Sequence, residues 1–238
     1  MRNIIAIFKK EFRAYFDSPI AYIFITAFLI LSMWIFFKGF FLVGQTVMRG
    51  YFTLLPWIFL FFVPAVTMRL WAEEKKLGTI EVLMTLPVND YEVIIGKYLA
   101  AYLFLTLTIL LSISLPITLI ILGETDLGPI IGGYLGALLM GGAYLAIGLF
   151  ASSLSENQIV AFILGIAFCF GLFIVGENFV IMAVPARFAS LFSYLGLGTH
   201  FESIGRGVID TRDIIYYLSV IGFFIFLNIR SLESRKWS

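Results

Sequence analysis

Charged side chains are scarce in this sequence. Asp, Glu, Lys and Arg make up 13% of its 238 residues, and 61% are hydrophobic. Soluble domains carry about a quarter charged residues. A soluble chain of this length would need far more charge to cover its surface, so most of this surface is built for lipid. Cysteine is nearly absent. Cys169 stands alone, which excludes an internal disulfide and a cysteine-rich metal site. It lies in an apolar run, 161–175, where a small packed hydrophobe is expected. His200 is the single histidine. It has Glu202 nearby but no H-E-x-x-H spacing, so neither metal binding nor catalysis is expected from it. No G-x-x-x-x-G-K-[ST] run exists to cradle a phosphate. Ser152, Ser153 and Ser155 have no His or Lys arranged to activate them. The net charge of +1 comes with no basic patch clear of the apolar runs, which excludes a nucleic-acid surface. The chain is therefore expected to hold no enzyme active site, no cofactor and no metal.

Long apolar runs are what the sequence has. A membrane span needs about 20 apolar residues. Six candidates follow one another: 20–37, 52–70, 93–122, 129–150, 159–175 and 214–229. Pro56 and Pro64 predict a kink in the second. Pro116 falls near the outer end of the third. The reading is an all-α integral membrane fold in one domain, 1–238.

The N-terminus does not read as a signal peptide, because Lys9, Lys10, Glu11 and Arg13 break its apolar run. On a helical wheel Ile4, Ile5, Phe8, Phe12, Tyr15 and Phe16 share one face, and Arg2, Lys9, Lys10, Arg13 and Asp17 the other. Residues 3–16 are thus expected to form an amphipathic helix in the membrane interface.

Six spans put both termini on one side. Eleven of the 16 Lys and Arg, from Arg2 to Lys236, then fall on the terminal side, against Lys38, Arg49, Arg187, Arg206 and Arg212 on the other. The positive-inside bias places both termini in the cytoplasm of a multi-pass inner-membrane protein. The segment 176–213 is then extracytoplasmic. It is semi-apolar and too interrupted to span, and reads as short helices re-entering the outer leaflet before the last span.

The cytoplasmic loop 72–92 is the most informative stretch. Gly78 permits a turn that larger residues resist. Thr79 is positioned to cap a short helix, 80–86, with Val82, Leu83 and Leu86 on one side and Glu81 and Thr85 on another. Pro87 stops that helix. Asn89 and Glu92 form a capping box for the next span. The product is a capped helical knob between two spans. It fits either a seat for a moving partner or a loop with no partner at all.

Glu74-x-x-x-Gly78-Thr79-x-Glu81-x-Leu83, then Pro87, then Gly96-Lys97, resembles the cytoplasmic loop of ABC-2 type transporter permeases. The topology matches along essentially the whole chain. The opening, with Glu11 and Ser18-Pro19, is most similar to the gliding-motility-associated branch. The resemblance implies a permease paired with a second copy or a homologous permease, above ABC ATPase subunits that hold ATP and Mg. An auxiliary extracytoplasmic protein would be a further partner. The short helix would be the coupling helix, with Glu74, Gly78, Thr79, Glu81, Leu83 and Pro87 as the ATPase-coupling residues. Glu81 or Glu74 would touch the ATPase. The output would be export or mechanical transmission. Absence of a polar stripe through the spans leans toward a lipid-like or polymer substrate, or none.

Other residues are weaker candidates. Glu177, His200 and Glu202 are expected at an outer gate or a substrate contact. Glu177 is placed to meet Arg187, a substrate head group or simply solvent. Gly128, Gly132 and Gly136 allow close helix approach, within the subunit or at a dimer seam. A passive channel or scaffold remains an alternative, as does an intramembrane enzyme, although the spans hold almost no residues for one.

Overall fold

A computed structural model describes residues 2–43, 48–85, 87–123 and 126–235. Two residues named above, Leu86 and Lys236, fall outside them. The described chain is helical, with no strand. Its order is α1 (Arg2–Phe16), α2 (Pro19–Val43), α3 (Arg49–Thr67), α4 (Arg69–Lys76), α5 (Thr79–Thr85), α6 (Asp90–Leu111), α7 (Ser114–Leu122), α8 (Leu127–Ser153), α9 (Gln158–Ile174), α10 (Asn178–Ala183), α11 (Ala186–Leu195), α12 (Leu197–Gly205) and α13 (Thr211–Arg235).

Among the described residues, five stretches are long and apolar enough to cross a membrane: Pro19–Lys38, Arg49–Lys76, Asp90–Leu122, Leu127–Ser153 and Thr211–Ser234. This is a multi-pass membrane protein. The sixth apolar helix, α9, has 17 residues. It runs between the same two ends of the bundle as its neighbours. Gln158, its first residue, lines a groove with Leu70 and Glu73. Near its last turn, Phe173 meets Trp57 edge-on at 5.0 Å.

The first and last helices share one end of the bundle, here the terminal end. Asn3 donates to Glu92 at the start of α6 (3.0 Å), and Glu233 of α13 lines a hollow with Asn89 and Asp90. α10, α11 and α12 gather at the far end, and each is too short to span.

α8 is the central helix, with Met140, Ala143, Tyr144 and Ile147 fully buried, whereas α13 exposes Ile215, Leu218, Phe223 and Phe226. Its small residues explain that position. A Cβ on Gly132 would collide with the Ile204 carbonyl of α12, and one on Gly136 would press on Phe201. The glycine stripe therefore packs α12 within the subunit.

The third run is divided rather than continuous. Proline cannot donate to the carbonyl four residues earlier, and its ring crowds it. For Pro116 that carbonyl belongs to Ser112. The helix breaks there, with tight bonds from Ser112 N to Ile109 O and from Ile113 N to Leu110 O (3.0 and 3.1 Å). The Ser112 carbonyl accepts from Leu115 N and from the Tyr134 hydroxyl of α8, both at 3.0 Å, and Tyr51 of α3 donates to the Ser112 hydroxyl at 3.2 Å. Polar groups at this depth must find protein partners, and here two tyrosines join the backbone in supplying them.

A second break separates α3 from α4 at Met68. Ser152 of α8 fills it. Its hydroxyl accepts from Trp71 N and Ala72 N (3.1 and 3.2 Å) and donates to Met68 O at 2.8 Å. Lys75 of α4 caps the end of α8 by donating to the Ser153 carbonyl.

Candidate functional site

The α4–α5 segment sits at the terminal end. Leu77 N donates to Glu73 O (3.0 Å) and Gly78 N to Lys75 O (3.1 Å), which closes α4. Gly78 adopts φ +68°, and a Cβ there would meet nothing within 4 Å. Backbone conformation alone is what this position asks of glycine. Thr79 is the first residue of α5. Its hydroxyl donates back to the Glu74 carbonyl at 3.3 Å rather than accepting from the new helix, so it staples α5 onto α4.

The faces of α5 differ from those read in the sequence. Ile80 and Leu83 pack inward against the core. Val82, expected beside Leu83, is exposed with Glu81 and Thr85. In one helical turn, positions three apart share a face and adjacent ones do not. Pro87 is exposed beyond the helix. The capping box forms as expected, with Asn89 N donating to Glu92 Oε2 at 3.3 Å.

Beneath α4 lies the feature that organises this end. Lys97, in the second turn of α6, has its side chain 1% exposed. Its ammonium donates to Glu74 Oε1 at 2.7 Å, Leu70 O at 3.0 Å and Glu11 Oε1 at 3.1 Å. All three protons of the ammonium are used. The Trp71 ring lies 5.0 Å away. One buried cation thus joins α1, α4 and α6. Lys10 stands at the rim, 3.6 Å from Glu11 and 4.0 Å from Glu74. Glu74 Oε2 is buried and meets no partner among the described residues.

The closeness of α1 to α6 depends on Gly96. A Cβ there would lie 2.8 Å from Ile7 Cγ2 and 3.2 Å from Ile4 O. Ile7 therefore faces α6, while Ile5, placed on the apolar face by the wheel, is 54% exposed. Tyr15 stacks on Phe104 at 4.8 Å, and the Arg69 guanidinium lies 4.5 Å over the Tyr15 ring. Between α1, α2 and the α3–α5 stretch opens a groove of about 650 Å³, floored by Tyr15, Phe24, Val66 and Leu83 and edged by Lys10 and Glu73.

The six coupling residues expected from the sequence thus fall on one loop with divided roles. Glu74 turns inward onto Lys97. Gly78, Thr79 and Leu83 shape and seat the loop. Glu81 and Pro87 face outward. Lys97 and Ser152 are the residues whose roles the sequence reading missed. A lysine inside a long apolar run was the available signal for the first.

At the far end, His200 and Glu202 part company. His200 Nδ1 lies 2.7 Å from Asp213 Oδ1 of α13, and Nε2 lies 2.9 Å from Tyr194 O of α11. Both ring nitrogens thus face oxygen atoms of neighbouring helices. Tyr216 stacks on the ring at 3.9 Å. Glu202 instead pairs with Arg206 at 2.5 Å, exposed. Glu177 does not meet Arg187, whose guanidinium lies over Phe188. Burial, and then the charge of Glu202, push the Glu177 pKa up. Among the described residues no cluster of His, Cys, Asp and Glu is arranged to hold a metal.

A family model described as ABC-2 family transporter protein matches residues 20–233. No curated protein matches the chain.

Proposed function

The chain belongs to the ABC-2 family of transporter proteins, and on that premise we propose that it is the membrane subunit that receives the stroke of a separate ATPase. In this reading α9 crosses with the five longer spans, giving six crossings with both termini in the cytoplasm of an inner-membrane protein. α1 lies in the interface, α5 is the coupling helix and α10–α12 re-enter from the outside. ATP and Mg belong to the ATPase. A second copy or a homologous permease completes the transporter, which is closest in kind to the gliding-motility-associated branch and drives export or mechanical transmission.

The observation that carries this reading is the Lys97 junction. A push on α5 reaches α4 through the Thr79 staple and the Gly78 turn. From α4 it reaches α1 and α6 through one buried ammonium held by 2.7, 3.0 and 3.1 Å contacts. A loop serving only as a connection has no use for such bracing. The exposed residues Glu81, Val82 and Pro87 form the contact surface, and Glu74 acts from behind it.

Co-purification of the chain with an ABC ATPase tests the reading. Glu81→Lys, on an exposed position, is expected to leave the protein folded and to cut recovery of the ATPase severalfold. Full recovery, with ATP-driven activity intact, would remove Glu81 from the contact. Absence of any ATPase from the unaltered complex would remove the reading itself.

A further inference from the structure

At the far end a cleft of about 550 Å³ opens between α3, the end of α9 and α12. Two of its walls are helix faces. Arg49, Phe52 and Trp57 stand on α3, and Phe201 on α12 is followed by Glu202 and Arg206. Residues three, four and seven or eight apart share a helical face. The α3 wall therefore carries Arg49, Phe52 and Trp57 on one face, while the α12 side brings Phe201 and, from the turn after the helix, the Arg206–Glu202 pair. Phe173 closes the apolar part against Trp57. Gly198 keeps the α12 wall thin, since a Cβ there would lie 3.0 Å from the Phe173 ring.

The charges in the cleft do not cancel evenly. Arg206 is taken by Glu202. Glu177 stands on the α12 side, its Oε1 3.3 Å from where a Gly198 side chain would begin, and burial and the charge of Glu202 raise its pKa. Arg49 meets no carboxylate among the described residues, the first turn of α3 carries no acid, and Met48 gives it no side-chain cap. The positive end of the helix dipole adds to the guanidinium. One end of the cleft is left cationic, and its floor is apolar.

We infer that this cleft binds an anionic amphiphile, with phosphate or carboxylate oxygens on Arg49 and the apolar body along Phe52, Trp57 and Phe173. The planar guanidinium suits two oxygens of either group. The volume falls within the range of small-molecule sites, roughly 300–1,000 Å³. A purely polar solute would leave the aromatic floor unmatched, and a cationic amphiphile would face Arg49. Naming the amphiphile as cargo rests on the transporter reading above; the binding does not. Its source is either a phospholipid of the surrounding leaflet or a free amphiphile from water.

The test uses the full chain in a neutral maltoside detergent, titrated with decyl phosphate and, separately, decyltrimethylammonium. Saturable binding of decyl phosphate is expected, with little binding of the cation. Arg49→Gln is expected to weaken decyl phosphate about tenfold, which is about 1.4 kcal/mol. Arg49→Lys, which keeps the charge, should lose less, and Trp57→Ala should weaken binding through the floor. Equal affinity in Arg49→Gln, or tighter binding of the cation, overturns the site. In nanodiscs, weaker decyl phosphate binding when phosphatidylglycerol joins phosphatidylcholine supports the site with leaflet lipid as its source. Unchanged binding supports it with the free amphiphile. No ATPase is present in these titrations, so failure here and failure of co-purification are separate results.

Discussion

Lys97 Nζ lies 2.7 Å from Glu74 Oε1, a contact between the last turn of α4 and the second turn of α6, 23 residues apart in sequence. It closes the loop between those helices from behind. A buried charge left without its partner costs about 3–5 kcal/mol, whereas removing both partners together costs much less. Lys97→Met is therefore expected to destabilise the protein by about that amount, and Lys97→Met with Glu74→Gln by less than the two single changes summed. Unfolding midpoints in mixed micelles, read as a double-mutant cycle, check this.

Gly96→Ala is expected to loosen α1 from α6. Its new methyl would stand 2.8 Å from Ile7 Cγ2, and such overpacking costs about 1–3 kcal/mol. Ile7→Ala in the same chain should recover part of the loss, while the contact with the Ile4 carbonyl keeps recovery incomplete. The rate at which a protease cuts within residues 2–16 reports the outcome directly.

Ser152→Ala removes one hydroxyl and strands three backbone groups, at Met68, Trp71 and Ala72. Each buried unsatisfied group costs about 1–3 kcal/mol. The expected drop in thermal midpoint should exceed that for Ser155→Ala, whose hydroxyl serves an exposed turn. Equal midpoints for the two would refute the capping role.

His200→Ala leaves the Asp213 carboxylate buried and unpaired, with Oδ2 already lacking a partner among the described residues. Faster amide exchange across 197–217 is expected, while the α4–α5 segment stays unchanged. Asp213→Asn combined with His200→Ala should restore part of the protection, since no lone charge then remains.

The spans were legible because hydropathy and length are summed over many residues. The α4–Gly78–α5 turn and the Asn89 box were legible because their chemistry is local. What stayed hidden was set by partners far away in sequence. Glu74 reads as a surface acid until Lys97 of α6 is placed behind it. His200 invites pairing with Glu202, two residues on, yet positions two apart point away from each other on a helix. Asp213 reaches it because the chain reverses at Gly207, which adopts φ +88°. Pro116 sat in plain view, but the break it causes appears four residues earlier, at Ser112, where Tyr51 and Tyr134 wait.

The length of α9 has a consequence for the surrounding lipid. Seventeen residues rise about 26 Å, a few ångströms less than the hydrocarbon film of about 30 Å. Ile159, Val160, Ile163 and Phe170 are exposed along it. In the six-crossing reading proposed above, the two leaflets draw together around this helix. Acyl-chain length is then a mechanical variable for the protein in that reading, with a thicker bilayer straining α9.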